Sequence, residues 1–303
     1  MKADWQQKAG SILAGIKQQR NYPMAELTTF KIGGPADLLV EPEDVGQLAR
    51  VMEFCREFSV PWMLLGLGSN LLVRDKGIRG IVIKLTGDFL TWERDGNTVR
   101  AGAGMTLGDL SRETARAGLS GLEFACGIPG TVGGAVYMNA GAYDGEMSQV
   151  LQRVQAYSLD QGLSWYSKDE LELGYRKSRF QFRPEIIVMA ELHLTSADAQ
   201  TCLDKIADLT ERRESKQPLE LPSAGSVFRR PEGYYVGPLI EKAGLKGYAI
   251  GGAQVSLKHA GFIVNTGGAT ADDVLRLIAH IQHEIKSRYG VELVPEVKVV
   301  GEE

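Results

Sequence analysis

Only three cysteines, Cys55, Cys126 and Cys202, occur in 303 residues, and no two of them form a CxxC pair. That argues against a disulfide scaffold and a zinc ribbon, and it fits reduced thiols in a reducing compartment. Histidine is equally sparse. Two of the four, His280 and His283, lie close together, but their order HIQHE is neither HExxH nor HxxEH, and no metal is expected. There is no excess of basic charge: 34 Lys+Arg stand against 38 Asp+Glu, a net charge of -4, so no nucleic-acid partner is expected. The most apolar stretch, VPWMLLGL at 60–67, is too short to cross a bilayer. The first twenty residues hold no continuous apolar segment of the kind a signal peptide needs. A cytoplasmic location without membrane contact is therefore expected. No GxxxxGK[ST] occurs, which argues against a P-loop kinase or ATPase.

Glycine alone is abundant. Its 36 residues are about 12% of the chain, against a usual figure of about 7%, and they follow no collagen period. They mark tight backbone turns. With 44% hydrophobic residues and little net charge the chain folds, and at about 100–200 residues per domain it forms two or three domains.

The first twenty residues read as a polar helix. Residues 36–40 are a short strand closed by Pro42. Val45, Leu48, Met52, Cys55 and Phe58 then keep helical spacing, and after Pro61 residues 62–65 read as a buried strand. This is a β-α-β unit. Short strands follow at 81–84, 89–93 and 99–101, the last two joined by the turn Asp95-Gly96-Asn97. Thr106 caps a helix that runs to Gly118, with Asp109 in its first turn. Further strands are expected at 135–138, 150–157, 163–166 and 186–194. Leu203, Ile206 and Leu209 form one face of a helix over 197–213. Gly237-Pro238 opens a helix that Gly244 stops. Thr270 and Asp273 bracket the start of a long helix with Val274, Leu277, Ile278, Ile281 and Ile285 as its apolar stripe, and 291–300 reads as strand-like.

Two glycine-rich turns stand out. GLGSN at 66–70 follows a strand at the end where ligands bind in α/β units, although it is not GxGxxG. GIPGTVGGAVYMNAGAY at 127–143 gathers small residues whose peptide N–H groups can cradle an anion. One such turn is explained by a tight loop. Two point to a ligand of dinucleotide size. Ser226 in SAGSVF fits neither GxSxG nor a triad, and a packed strand explains it as well. Glu296 in VELVPEVKVV alternates onto one face with Glu292 and Val294, as a surface carboxylate does. Arg176 has Lys177 and Arg179 beside it, as an ordinary surface arginine has, and His259 follows Lys258 where an anion or solvent suits it.

Taken in order, TTFKIGGPA (28–36), LGLGSNLLV (65–73), the 127–143 segment, YRKSRF (175–180), SAGSVF (223–228) and PEV (295–297) make the chain resemble the UDP-N-acetylenolpyruvoylglucosamine reductase family over nearly its whole length. The resemblance implies an α+β fold. It has two FAD-binding subdomains of the p-cresol methylhydroxylase-like (PCMH-like, vanillyl-alcohol-oxidase) type and a C-terminal α+β substrate domain. The implied boundaries are 1–82, with 294–303 returning to it, then 83–196 and 197–293. It implies a flavoenzyme of peptidoglycan precursor synthesis with non-covalent FAD and NADPH as co-substrate. Hydride would pass from N5 of the reduced flavin to C3 of an enolpyruvyl group, and a proton would go to C2, giving UDP-N-acetylmuramate.

By motif match, Arg176, Ser226 and Glu296 are catalytic: Ser226 gives the proton, while Arg176 and a protonated Glu296 stabilise the enolate. Gly66, Gly68, Ser69, Asn70, Gly130, Thr131, Gly133, Gly134, Asn139 and Gly141 bind FAD. Tyr175, Arg213 and Lys216 bind the UDP-sugar, the cations through its diphosphate. No obligatory protein partner is implied. Phe182-Arg183-Pro184 leads straight to Ile186, so the chain resembles the subgroup without an inserted tyrosine-bearing lid loop. The rivals are an FAD-dependent oxidase on the same flavin fold and a nucleotide-sugar binding protein without redox chemistry.

Overall fold

Gly15, at φ +85°, decides where the first helix ends. A computed structural model describes residues 4–303. The helix expected over the first twenty residues, of which 1–3 lie outside the described ones, runs only over Asp4–Ile12. After Gly15 the chain continues as the strand Lys17–Pro23.

The chain forms two compact units, each discontinuous in sequence. The first takes the residues up to Gln19, then Leu39–Gly66 and Ile81–Arg213; the second takes Arg20–Leu38, Leu67–Gly80 and Glu214–Glu303. The strands Lys17–Pro23, Pro35–Glu41 and Ile78–Ile83 are where the chain passes from one unit to the other. With Trp62–Leu64 they form a four-stranded sheet in the order Lys17–Pro23, Pro35–Glu41, Ile78–Ile83, Trp62–Leu64.

In the first unit the β-α-β expectation holds. Helix Val45–Glu57 starts at Asp44, whose carboxylate accepts from the Gln47 N–H at 2.7 Å, and it buries Leu48, Val51, Met52, Phe54 and Cys55. Trp62–Leu64 then pairs in parallel with Ile78–Ile83, Trp62 opposite Ile81, but its side chains are half-buried rather than buried. An antiparallel five-stranded sheet follows, in the order Gly162–Ser167, Leu151–Ser158, Ile186–His193, Thr98–Gly102, Trp92–Asp95. Its register sets Glu191 opposite both Arg100 and Arg153. The guanidiniums reach the carboxylate at 2.8 and 2.7 Å, and hydrogen bonding from Arg153 leads the causes that hold Glu191 below the usual carboxylate range.

Three expected strands differ. Residues 135–138 lie in the helix Val132–Met138, because the Thr131 hydroxyl caps it by accepting from Gly134 N–H at 3.2 Å. A four-residue apolar run suits strand and helix alike, and the cap decides. Residues 89–93 divide into a 3-10 turn, Gly87–Leu90, and the strand Trp92–Asp95. Of 291–300 only Lys298–Val300 is a strand, paired in parallel with Leu71–Val73, because Pro295 cannot donate to a ladder.

The second unit holds a sheet in the order Ser223–Ser226, Phe262–Asn265, Ala253–Val255, Ala249–Ile250. Thr270 and Asp273 form a reciprocal capping box on helix Ala271–Tyr289, and Gly290 ends it at φ +68°. Its stripe, Val274, Leu277, Ile278, Ile281 and Ile285, is buried with Phe30, Leu72, Val227 and Leu293 in one core. Among the described residues no helix is long and apolar enough to cross a membrane.

Candidate functional site

The loop 66–70 leaves the C-terminal end of strand Trp62–Leu64. Gly68 is buried at φ +61°, and a Cβ there would lie 2.4 Å from the Leu27 carbonyl oxygen. Only glycine lets the loop lie this close. Among the described residues, the peptide N–H groups of 66–70 have no acceptor within the chain. A run of unspent donors in a glycine turn suits an anion.

The loop is bonded to the PEV segment. Asn70 Nδ2 donates to the Glu296 carbonyl at 3.3 Å, and its own carbonyl accepts from Lys298 N–H at 2.9 Å. Glu296 N–H donates in turn to the Val227 carbonyl at 2.7 Å. Ser226, next to Val227, is exposed at the end of strand Ser223–Ser226, after Gly225 at φ +74°. Asn70, Ser226 and Glu296 are thus brought together, although at least 70 residues separate any two of them in sequence. Ser69 sits half-exposed beside them.

In the first unit the other glycine-rich segment is stitched to residues 103–107. Leu107 N–H donates to the Gly130 carbonyl and Val132 N–H to the Met105 carbonyl, both at 2.8 Å, and Gly133 N–H to the Ala103 carbonyl at 2.9 Å. Gly133 is needed there, since a Cβ would meet that of Ala103 at 2.9 Å. Gly66 adjoins this segment, its Cβ direction ending 3.0 Å from Thr131 Oγ1. Gly130 faces open space, and the N–H groups of Gly130 and Thr131 have no acceptor among the described residues. Gly134 N–H is spent on the Thr131 cap. Gly141 is pressed against residues 145–146. Asn139 is buried at 1% exposure, and both polar atoms of its amide are bonded within the chain.

Arg213 packs on this segment, with Cδ 2.7 Å from where a Gly127 Cβ would be. Burial pushes its guanidinium below the ordinary arginine range, the Tyr143 hydroxyl opposing. Among the described residues it has no carboxylate partner, so an anion from outside suits it. Lys216 ends helix Ala199–Lys216 and is exposed.

Tyr175 and Arg176 form the tip of a tight turn closed by reciprocal bonds between Gly174 and Lys177 at 3.1 and 3.0 Å. Arg176 sits at φ +54°, with Nη2 donating to the Gly141 carbonyl at 3.4 Å. Its guanidinium lies 5.1 Å from the exposed Tyr175 ring. The rest of the YRKSRF motif is structural: Ser178 is fully buried and donates to the Tyr137 carbonyl at 2.8 Å, and Phe180 is in the core. Gln181, which sequence reading passed over, bonds the Arg176 carbonyl at 3.0 Å.

His280 stacks on Tyr248 at 4.4 Å, and among the described residues no group of His, Cys, Asp and Glu fits a metal ion. His259 Nδ1 accepts the Gly261 N–H at 3.0 Å, which places the proton of the neutral ring on Nε2. Burial depresses its pKa below the ordinary 6.5, with Glu241 and Lys246 opposing each other. Below pH 6.5 the unfolded chain protonates this histidine before the folded one does, so the stability it holds is present above that pH and lost as pH falls. Urea unfolding at pH 7.5 and 5.5 is expected to show this loss, and His259→Gln to reduce the difference.

Residues 36–162 match the family model described as an FAD binding domain, and 217–300 match that of the UDP-N-acetylenolpyruvoylglucosamine reductase C-terminal domain. The chain is 49% identical over 287 residues to the UDP-N-acetylenolpyruvoylglucosamine reductase of Clostridium botulinum, covering 95% of this chain and 94% of that one. It is 52% identical over 283 residues to the protein of that name from Syntrophomonas wolfei, covering 93% and 95%. The crystal structure of the reductase from Thermus caldophilus superposes with a TM-score of 0.81 at 39% identity, over 94% of this chain and 98% of that one. Physcomitrella patens BBE-like 1 shares the fold alone, with a TM-score of 0.50 and 16% identity over 64% of this chain and 45% of that one.

Proposed function

This chain belongs to the UDP-N-acetylenolpyruvoylglucosamine reductase family, and from that premise we propose that it uses NADPH to reduce the enolpyruvyl group of UDP-N-acetylglucosamine enolpyruvate, giving UDP-N-acetylmuramate in the cytoplasm. It is an FAD-dependent oxidoreductase of peptidoglycan synthesis, built on the PCMH-like flavin fold with an α+β substrate domain. Our reading keeps three domains: 1–82 with 294–303, 83–196, and 197–293.

The residues fit FAD. The glycine turn at 66–70, with its unspent N–H donors, suits its diphosphate and leaves room for close backbone approach, and in the first unit the N–H groups of Gly130 and Thr131 are unspent as well. When bound, FAD supplies a two-electron carrier between NADPH and the substrate. The chain's own residues do the rest. As C3 of the enolpyruvyl group gains hydride, charge develops on C2 and its carboxylate. Arg176, and Glu296 in its protonated form, stabilise that charge, and the Ser226 hydroxyl delivers a proton to C2. Tyr175 lies along the sugar, and Arg213 and Lys216 meet phosphate oxygens.

One observation carries this reading. The loop 66–70 and the backbone beside Ser226 are both bonded to the main chain of Glu296, so the glycine turn, the serine and the glutamate are neighbours in the fold. The test is anaerobic. The purified protein is expected to be yellow, to bleach with NADPH and to recover its colour when the enolpyruvyl nucleotide is added. Bleached protein that recovers colour only with oxygen identifies an oxidase instead. A colourless protein that binds no FAD removes the redox reading.

A further inference from the structure

Arg176 holds a backbone conformation that arginine does not choose. Its φ of +54° puts it at the third position of the Gly174–Lys177 turn in the left-handed region, where glycine or asparagine is usual. Such a residue persists only when its surroundings over-determine it. Two side-chain amides from outside the turn do so. Asn139 Nδ2 donates to the Gly174 carbonyl at 3.1 Å. Gln181 Nε2 donates to the Arg176 carbonyl at 3.0 Å and to the Tyr137 carbonyl at 2.9 Å. The turn is therefore fastened at both ends to the end of helix Val132–Met138.

Asn139 does more than end that helix. Its own φ of +40° makes it the C-cap, a task glycine performs with no side chain at all. The amide serves another purpose: while Nδ2 reaches the turn, Oδ1 accepts from Ser148 N–H at 2.9 Å. Two residues further on, the Gly141 carbonyl receives Arg176 Nη2. One buried amide thus ties the end of the glycine-rich segment to the turn that carries Arg176, whose guanidinium returns to the same segment at Gly141.

We propose that Asn139, seconded by Gln181, is a positioning residue: it holds Arg176 in its left-handed turn and so aims the guanidinium at the substrate carboxylate. This rests on the reading of Arg176 as the enolate-stabilising cation. A guanidinium released from the turn keeps its charge but loses its aim, and the step in which charge develops slows while flavin loading does not.

Asn139→Asp tests this, because it keeps the size, the tolerance of positive φ and the acceptor for Ser148 while removing the donor to Gly174. Expected are full FAD content, reduction by NADPH within about twofold of wild type, and reoxidation by the enolpyruvyl nucleotide slowed about 10–100-fold. Combined with Arg176→Ala it is expected to add nothing to the slowing by Arg176→Ala alone. Amide exchange at 174–178 in the oxidised protein, with no substrate present, is expected to speed up about tenfold or more. Should Asn139→Asp not fold, Gln181→Glu removes the second donor and carries the same measurements. Unchanged reoxidation, unchanged exchange, a multiplicative double variant, or loss of FAD in the variants would each overturn the proposal. Failure of the underlying function reading is seen separately, in wild-type protein that the enolpyruvyl nucleotide does not reoxidise.

Discussion

Ser226→Ala is expected to slow reoxidation of the reduced flavin by the enolpyruvyl nucleotide about a thousandfold, while reduction by NADPH stays within about twofold. On the proposed route, hydride arrival at C3 would leave an electron pair on C2 that a proton must discharge, and a positioned acid contributes about 10²–10⁴ to such a step. The Ser226 hydroxyl has no structural task that would compete with this proposed role. It is exposed at the end of its strand, and among the described residues it makes no hydrogen bond within the chain. Removing it takes away no internal contact, so unfolding in urea is expected to shift by no more than about 0.5 kcal/mol. Stopped-flow absorbance of the two half-reactions checks both parts. A variant slowed equally in both half-reactions has lost flavin geometry, and one slowed in neither removes Ser226 from the proton-donor role.

Much of this fold was legible where local chemistry agreed with pattern. Asp44 and Thr270 each cap the helix that the apolar spacing behind them predicts, and Thr106 caps the helix that its own side chain and Asp109 announce. Pattern misled where a run was too short to show a period, as at 135–138, where the Thr131 cap makes a helix. It also misled at 291–300, where alternating burial of Val291, Leu293 and Val297 mimics a strand across a proline. The site was legible only as separate motifs. Nothing local to Asn70, Ser226 or Glu296 shows that they meet, because the bonds joining them end on backbone carbonyls, which every residue has. The same holds for Asn139. Its place in the glycine-rich segment suggests a cofactor ligand, whereas its side chain is engaged with a carbonyl 35 residues away.

Gly68→Ala is expected to yield folded protein that has lost its FAD, with affinity lowered about a hundredfold or more, equivalent to about 2.7 kcal/mol. Two effects combine. The left-handed φ of +61° costs a residue with a Cβ about 1–2 kcal/mol. The new methyl would also lie 2.4 Å from the Leu27 carbonyl oxygen and 2.9 Å from Thr28 Cα, so backbone rather than a yielding side chain blocks it. That wall is fastened. The buried Thr28 hydroxyl donates to the Ile32 carbonyl at 3.0 Å, Thr29 Oγ1 to the Ser223 carbonyl at 2.7 Å, and Asn265 Nδ2 to the Phe30 carbonyl at 3.1 Å. The loop 66–70 must therefore be the part that moves, and its unspent N–H groups move with it. Gly162→Ala separates the two effects, for Gly162 has nearly the same φ, +65°, and nothing within 4 Å of its Cβ direction. It is expected to cost about 1–2 kcal/mol in urea unfolding and to purify with FAD at full content. Flavin absorbance per protein and circular dichroism check both variants. If Gly68→Ala retains FAD as Gly162→Ala does, the close approach of the loop to 27–28 is not what shapes the cofactor cradle.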